Sequence, residues 1–578
     1  MRKFTADFET TVDEFDCRVW AYSICEIGNV NNFIYGNNID DFIKWCSDKK
    51  ENYVVYFHNL KFDSQFVMSY LFNNGYTYIS DETKKCDKSF TTLIGGMGEF
   101  YSLEIYFNVS DKKRPNKVTI YDSLKILNFS VDKIAKSFDL PIRKLDLDYK
   151  AYREVGHILT DDEIAYIRND VEIMARALEI MFNEGLTKMT IGSNALSNYK
   201  KLMTSFTRYF PELDFEVDQV LRQSYRGGFT YVNPKYKGLE VGKGIVLDVN
   251  SLYPSVMVND YLPIGEPVYY DGEYINDSLY PLYICIISCS FKLKEGKIPT
   301  IQIKKTFRYN DNEYIESSNG EIETLCLTSV DYELFREHYE VDNITFECGW
   351  KFKKCKGLFT GYINHWTNEK IKAKKENNSA KYQISKLMLN SLYGKFGKNP
   401  RTRTKIPFLG TDGIIHYELS EESIGKSCYI PVASFITSYA RLKTISTSQL
   451  IRDYTIKNYG KDYYLYSDTD SIHMLDLPEN ELKQFVEIDD YNLGWWKLES
   501  KFKRGKFIRQ KCYIEEDYDN NINATIAGLP KKLGKYVNFD NFNIGFSVLA
   551  TELDKEHKLT YKHVKGGVIL VDTDYSIK

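Results

Sequence analysis

Two aspartates one residue apart, Asp468 and Asp470, interrupt an otherwise apolar stretch. Tyr463-Tyr464-Leu465 precedes them and Ile472-His473-Met474-Leu475 follows, which predicts strand, tight turn, strand. Such a pair can be a solvated hairpin tip, because Asp, Ser and Thr are ordinary turn residues. It can equally hold a divalent cation, because Mg²⁺ takes hard oxygen ligands and commonly only one or two protein carboxylates besides substrate phosphates. A third acid, Asp248, ends the apolar strand Gly244-Ile245-Val246-Leu247 and is followed, after Val249, by Asn250-Ser251-Leu252-Tyr253-Pro254. An acid beside a turn rich in backbone N–H groups could hold a metal ion and a triphosphate together, or could simply cap a short helix.

A second set of acids lies near the N-terminus. Asp7 and Glu9 stand at i and i+2 on a predicted strand from Arg2 to Thr11, so they share one face. Asp63 follows the strand Tyr53-Val54-Val55-Tyr56-Phe57 near the start of a helix predicted over Phe62 to Leu71. Asp170 lies on a helix predicted from about Asp161 to Phe182, with Thr160 and Glu163 as a capping box and Tyr166 one turn before it. Each acid alone reads as well as a helix-start or solvated charge. Together they are what an α/β nuclease needs to hold two metal ions about 4 Å apart and activate a water between them. Tyr166 could orient that water.

The intervening chain is expected to supply cations and rings. A charged helix over Thr367 to Ala380 leads to a second one from Ala380, on which Lys386, Asn390 and Tyr393 form one stripe and which Gly394 should stop. That stripe suits a phosphate, an amide contact and a base, or else a snorkelling lysine beside a buried ring. Tyr225-Arg226-Gly227-Gly228 lets backbone approach a phosphate chain, or makes a plain turn. Lys501 to Lys511 carries six basic residues and no acid, interleaved with Phe502 and Phe507 and followed by Tyr513, as expected of a nucleic-acid-binding strand or a protected edge. An apolar helix from Ile430 to Ile451 contains Thr437 and Arg441. Residues 260–357 read as an inserted α+β subdomain, 398–428 as a basic loop or hairpin tip, and the last stretch from Lys535 as a small β unit.

Composition narrows the class. At 578 residues the chain has room for roughly four domains. The net charge of −4 argues neither for nor against nucleic acid, so local patches decide. Eleven cysteines without a CxxC pair point to a reducing compartment and away from zinc or a disulfide framework. The first residues carry acids where a signal peptide needs an apolar run. The longest nearly apolar run, 13 residues from Leu279 to Phe291, is too short to cross a bilayer and suits a buried strand, so no membrane segment is expected.

With these residues in order, DVNSLYP (248–254), KLMLNSLYG (386–394), YSDTDS (466–471) and KCY (511–513) resemble the polymerase motifs of family B DNA polymerases. DFE (7–9), HNLKFD (58–63) and YIRND (166–170) resemble that family's exonuclease motifs, and YRGG (225–228) its link between the two modules in the protein-primed, phi29-like bacteriophage group. The resemblance implies a multidomain α/β and α+β chain. An RNase H-like 3′–5′ exonuclease domain (1–187) would precede a right-hand polymerase. Its palm would span 188–259 and 429–533, its fingers 358–397 and its thumb 534–578, with terminal-protein-region insertions at 260–357 and 398–428. Ser467 departs from the Cys usual in the group.

The resemblance also implies roles. Asp248, Asp470 and the Val249 carbonyl would bind two Mg²⁺ (Mn²⁺ as an alternative), with Asp468 assisting. Tyr253 would exclude ribose. Lys370, Lys386, Asn390 and Tyr393 would contact the incoming dNTP. Thr437 and Arg441 would touch template or primer, Lys511 and Tyr513 would hold the primer end, and Tyr225, Arg226, Gly227 and Gly228 would contact DNA. In the exonuclease, Asp7, Glu9, Asp63 and Asp170 would bind two ions beside Tyr166. Lys144, with Asp146 beside it, would support the scissile phosphate, and Asn59, Phe62, Ser123 and Leu124 would grip the single-stranded 3′ end. Expected partners are primer-template and single-stranded DNA and a terminal priming protein, for a monomer in the cytoplasm of an infected bacterium. A nuclease with an inert polymerase module and a non-catalytic DNA-binding component are the rival readings.

Overall fold

Two parallel strands, Lys3–Thr10 and Tyr53–Phe57, form the middle of an eight-stranded mixed sheet. Its order is Asn29–Gly36, Val19–Glu26, Lys3–Thr10, Tyr53–Phe57, Asn116–Asp122, Phe100–Asn108, Ser89–Ile94 and Thr77–Tyr78. The computed structural model describes residues 2–48, 52–80, 82–110, 116–302 and 314–577. Residues 303–313 of the expected 260–357 insertion lie outside them. Tyr53–Phe57 is buried at every position, as a central parallel strand with covered faces requires. The chain turns at Asn59 (φ +79°) straight into the helix Leu60–Asn73. The helix Asp161–Asn183 packs on Lys3–Thr10 and Val19–Glu26, and both hydrogen bonds of its Thr160/Glu163 capping box form.

A second, five-stranded sheet runs Trp496–Phe502, Gly244–Val249, Ser471–Leu475, Tyr464–Asp468, Thr230–Val232. Behind it lies the helix Ile430–Tyr459, which continues past the expected Ile451 to a left-handed Gly460. Apolar periodicity fails before the helix does, because Thr444, Ser448, Gln449 and Thr455 are buried on it with hydrogen-bond partners. The insertion forms a sheet of Tyr261–Asp271, Tyr339–Lys356, Leu282–Leu293 and Glu323–Thr328 with the helix Ser329–His338. Helices Thr360–Lys375 and Ser379–Ser391 form an antiparallel pair turned at Asn377 (φ +54°). Gly394 does not stop the second one: the break falls at Leu392, and Gly394 lies inside the short helix Tyr393–Phe396.

The basic run 501–511 divides between Trp496–Phe502 and Arg504–Arg509, with Lys511 (φ +53°) in the turn before Cys512–Glu516. The polar excursion is two small ladders, Arg401–Thr402 with Ser423–Ile424 and Lys405–Leu409 with Ile415–Leu419. The C-terminal hairpin Lys558–Val564/Gly567–Thr573 returns to the N-terminal sheet, where Lys562 pairs with Glu14 at 2.6 Å. Gly567 there approaches Phe66 so closely that a Cβ would fall 2.6 Å from the ring.

Two candidate carboxylate sites

Asp7, Glu9 and Asp170 offer carboxylate oxygens that all lie within 4.8 Å of one another. The strand Lys3–Thr10 brings the first two to one face, and the long helix delivers the third. Asp63 is buried at the start of its helix. Burial and then the charge of Asp7 hold its carboxyl well above the usual range. Burial, with Asp170 nearby, pushes Asp7 up to about 7, and burial with Asp7 and Asp170 raises Glu9. Lys144 bonds to Asp170 Oδ2, and its Nζ lies 3.2 Å from Tyr166 Oη. Burial draws the Lys144 ammonium down, and the charge and hydrogen bond of Asp170, with the charges of Tyr166 and Asp7, together more than offset it. Asp170 Oδ1 is buried with no hydrogen-bond partner among the described residues. A cluster of hard oxygens with an orphaned buried atom fits a divalent cation of the Mg²⁺ kind.

Around this cluster Asn59, Phe62 and Leu124 are half-buried and available to a strand end. Asp122 fixes the turn by accepting from the backbone N–H of Asn59 and Leu124, both at 3.0 Å. Asn59 Nδ2 donates to Tyr561 Oη at 3.1 Å, and Phe62 lies 6.0 Å from the Tyr561 ring. Two expectations change. The Ser123 side chain is fully buried, donating to the Phe57 carbonyl at 2.9 Å and pairing with His58 Nδ1 at 3.0 Å, so it supports the turn rather than presenting a hydroxyl to DNA. Asp146 is exposed on the segment beyond Lys144 and stands outside the group of three.

In the second site Asp248 opposes Ser471 across the ladder, and Asp468 opposes the same residue from the other strand. The turn between them is tight: Thr469 adopts φ +62°, its N–H donates to the Phe229 carbonyl at 2.7 Å, and the Thr444 hydroxyl holds its carbonyl at 2.7 Å. Val249 N–H donates to the Asp470 carbonyl at 2.8 Å, which ties the two acid-bearing strand ends together. The aspartates are not equivalent. Lys511 Nζ contacts both oxygens of Asp468 at 2.9 and 3.0 Å, and Tyr466 and Thr230 hydroxyls add bonds at 3.3 Å. Among the described residues Asp470 has no such side-chain partners; burial, then Asp248, push it up to about 6. Burial raises Asp248, while Lys497 and Lys386 pull it back. Two raised carboxylates held side by side again fit a divalent cation.

Tyr253 stacks on Tyr393 with ring centroids 4.1 Å apart. Lys386 and Asn390 are exposed on the helix Ser379–Ser391, and Lys370 is half-buried on Thr360–Lys375. Tyr513 is half-buried, stacked on Phe507 at 5.6 Å. Gly228 abuts Thr469, where a Cβ would fall 2.6 Å from the side chain, so the Tyr225–Gly228 loop braces the Thr469 turn. Tyr225 is half-buried against Gly397. Arg226 is half-buried, and Gly227 is exposed.

Arg441 is buried rather than DNA-facing. It pairs with Asp331 at 2.6 Å and donates to the Arg226 and Gly227 carbonyls at 2.9 and 2.8 Å, because a buried guanidinium needs a carboxylate and satisfied donors. Thr437 is buried too, its hydroxyl returned to the Ala433 and Ser434 carbonyls at 3.1 Å, as helical threonines commonly do. Sequence reasoning missed Asp331, Asp122 and Lys497. Each acts through a partner distant in the chain, and no local pattern marks them.

A family profile described as "DNA polymerase type B, organellar and viral" matches residues 46–482. The DNA polymerase of Bacillus phage B103 is 42% identical over all of both chains. That of Bacillus phage phi29 is 41% identical over all of this chain and 99% of its own, and that of Streptococcus phage Cp-1 is 32% identical over all of this chain and 98% of its own. The structure of phi29 DNA polymerase complexed with primer-template DNA and incoming nucleotide substrates superposes over the whole of both chains with a TM-score of 0.91 at 40% identity.

Proposed function

The chain belongs to the type B DNA polymerases, alongside phi29 polymerase and its phage relatives, and is a DNA-directed DNA polymerase; from that premise we propose that it builds DNA at Asp248 and Asp470 and removes 3′ nucleotides at Asp7, Glu9, Asp63 and Asp170. The observation that carries this reading is the separation of roles around the Thr469 turn. Asp470 is left open to a ligand, whereas Lys511 holds both oxygens of Asp468 and Lys497 contacts a single oxygen of Asp248. Two divalent ions at each site, Mg²⁺ or Mn²⁺, would supply an activated oxygen nucleophile and neutralise the transferring phosphate.

The protein's own groups do the rest. Lys386 and Lys370 offset triphosphate charge. Tyr253, fixed by its stack on Tyr393, forms a wall where a 2′-hydroxyl would have to sit. Lys511 and Tyr513 position the primer end beside Asp468. At the other site Lys144 neutralises Asp170 and orders Tyr166, whose hydroxyl orients the attacking water, while Asn59, Phe62 and Leu124 grip the strand end.

We further infer proofreading, strand displacement and priming on a terminal-protein hydroxyl, carried out by a monomer in the cytoplasm of an infected bacterium. The support is the phage relatives and the two insertions at 260–357 and 398–428. A mispaired primer tests proofreading: the native chain trims before extending, and Asp7→Ala with Glu9→Ala extends or stalls without trimming. Extension through a nicked duplex tests displacement. Transfer of a labelled deoxynucleotide to a co-purified protein hydroxyl tests priming, and absence of any protein-linked product refutes it.

A further inference from the structure

Lys497 lies directly opposite Asp248 in the antiparallel pairing of Gly244–Val249 with Trp496–Phe502. Side chains of opposed residues share one face of a sheet, so the register alone aims this lysine at the acid. Its Nζ lies 3.2 Å from Asp248 Oδ1, and about a third of the side chain remains exposed (32%). Glu499 and Asp470 add to the attraction. On the helix pair above, burial and then the charges of Lys386 and Lys497 hold the Lys370 ammonium below its usual range. Three ammonium groups from three elements therefore lie near enough to repel one another, and two of them, Lys497 and Lys386, act on Asp248. Lys511 is not one of them, since Asp468 engages it through both oxygens. Nothing in the roles described so far uses Lys497.

A lysine head has three donors on a flexible four-carbon stem, so the register fixes its base while the ammonium can change partner. A cation on the Asp248 carboxylate competes for the oxygen that Lys497 holds and repels the ammonium. The anion brought by the same event is a triphosphate. Resting on the two-metal reading of this site, we propose that Lys497 is a third phosphate-binding lysine. It neutralises Asp248 in the ligand-free site and turns to the β- and γ-phosphates of the incoming nucleotide, and to the pyrophosphate product, when Asp248 takes up its cation. Two lysines on the helix pair then face one on the sheet, so the triphosphate is held from both sides.

The test uses the full chain on a DNA primer-template with Mg²⁺, titrating dNTP and inorganic pyrophosphate. Lys497→Met should raise KM for dNTP at least about tenfold with a smaller change in kcat, the loss of one charge-assisted contact. Product inhibition by pyrophosphate should weaken by a similar factor, and Lys497→Arg should restore most of both. Degradation of single-stranded DNA at the distant acid cluster should be unchanged, which reports the fold. An unchanged KM and unchanged pyrophosphate inhibition, with only the Mg²⁺ requirement shifted, would make Lys497 a counter-ion of Asp248 and overturn the proposal. Should Lys497→Met lose degradation as well, Lys497→Gln against Lys497→Arg carries the same comparison. Nucleotide addition that survives in Asp470→Ala would instead overturn the two-metal reading beneath it.

Discussion

In the N-terminal site the carboxylates of Asp7, Glu9 and Asp170 gather beside Lys144, with Asp63 near enough to feel the charge of Asp7, whereas in the second site Asp248 and Asp470 face Lys497 and Lys386 while Asp468 is taken by Lys511. The substrates proposed for the two sites would account for the contrast. A phosphodiester at a strand end carries one charge, so a site that cleaves it can be left strongly negative and filled by cations. A nucleoside triphosphate carries several, and the chain supplies part of the neutralisation itself. The first site is therefore strained without metal and the second much less so, which makes the two separable by substitution.

The largest effect should fall on the open aspartate. Asp470→Asn should lower nucleotide addition by about a thousandfold or more if, as proposed, it holds the cation on which the reaction depends. Gly228→Ala comes next. Its methyl would meet Thr469, a stiff β-branched residue in a left-handed turn, and the displaced turn should cost addition about a hundredfold with degradation intact. Asp468→Asn, already committed to Lys511, should cost only about tenfold. An Asp468→Asn loss as large as that of Asp470→Asn would remove the asymmetry between them. All three are read by single-nucleotide extension of a DNA primer.

The smallest effect concerns stability. Asp7 titrates near 7 instead of its ordinary 3.8, so the folded chain binds a proton there that the unfolded chain has released. Stability from that group is full below its unfolded value and is lost as pH rises toward 7, in the absence of metal. Asp7→Asn with Glu9→Gln should thus melt above the native chain in EDTA, by about 2–4 °C near pH 8 and by nothing near pH 4. Mg²⁺ should abolish the difference. A gain that is equal at both pH values would mean the acids are not mutually strained.

Much of this was legible in the chain. Alternation exposed Asp7 and Glu9 as a pair, one helical turn joined Tyr166 to Asp170, and the capping box set where their helix begins. The bend at Asp468 and Asp470 was visible, but its asymmetry depends on Lys511 arriving from another sheet. Lys497 was hidden for the same reason: only strand register places it against Asp248. Thr437 and Arg441 were expected at template or primer only through the family resemblance, and nothing in their own stretch of sequence marks them as buried. Asp331, on the insertion, makes burial of Arg441 affordable, and no local pattern announces such a partner. Ser123 misled similarly, its hydroxyl being spent on the backbone of the neighbouring strand.

The central claim is that two independent carboxylate sites share one chain, and a crossed assay of two variants tests it most directly. Asp470→Ala and the Asp7→Ala, Glu9→Ala pair are each given a DNA primer-template with dNTPs and, separately, single-stranded DNA with Mg²⁺. Asp470→Ala should degrade but not extend, and the paired variant should extend but not degrade. Loss of both activities in either variant, with its melting temperature unchanged, would contradict it.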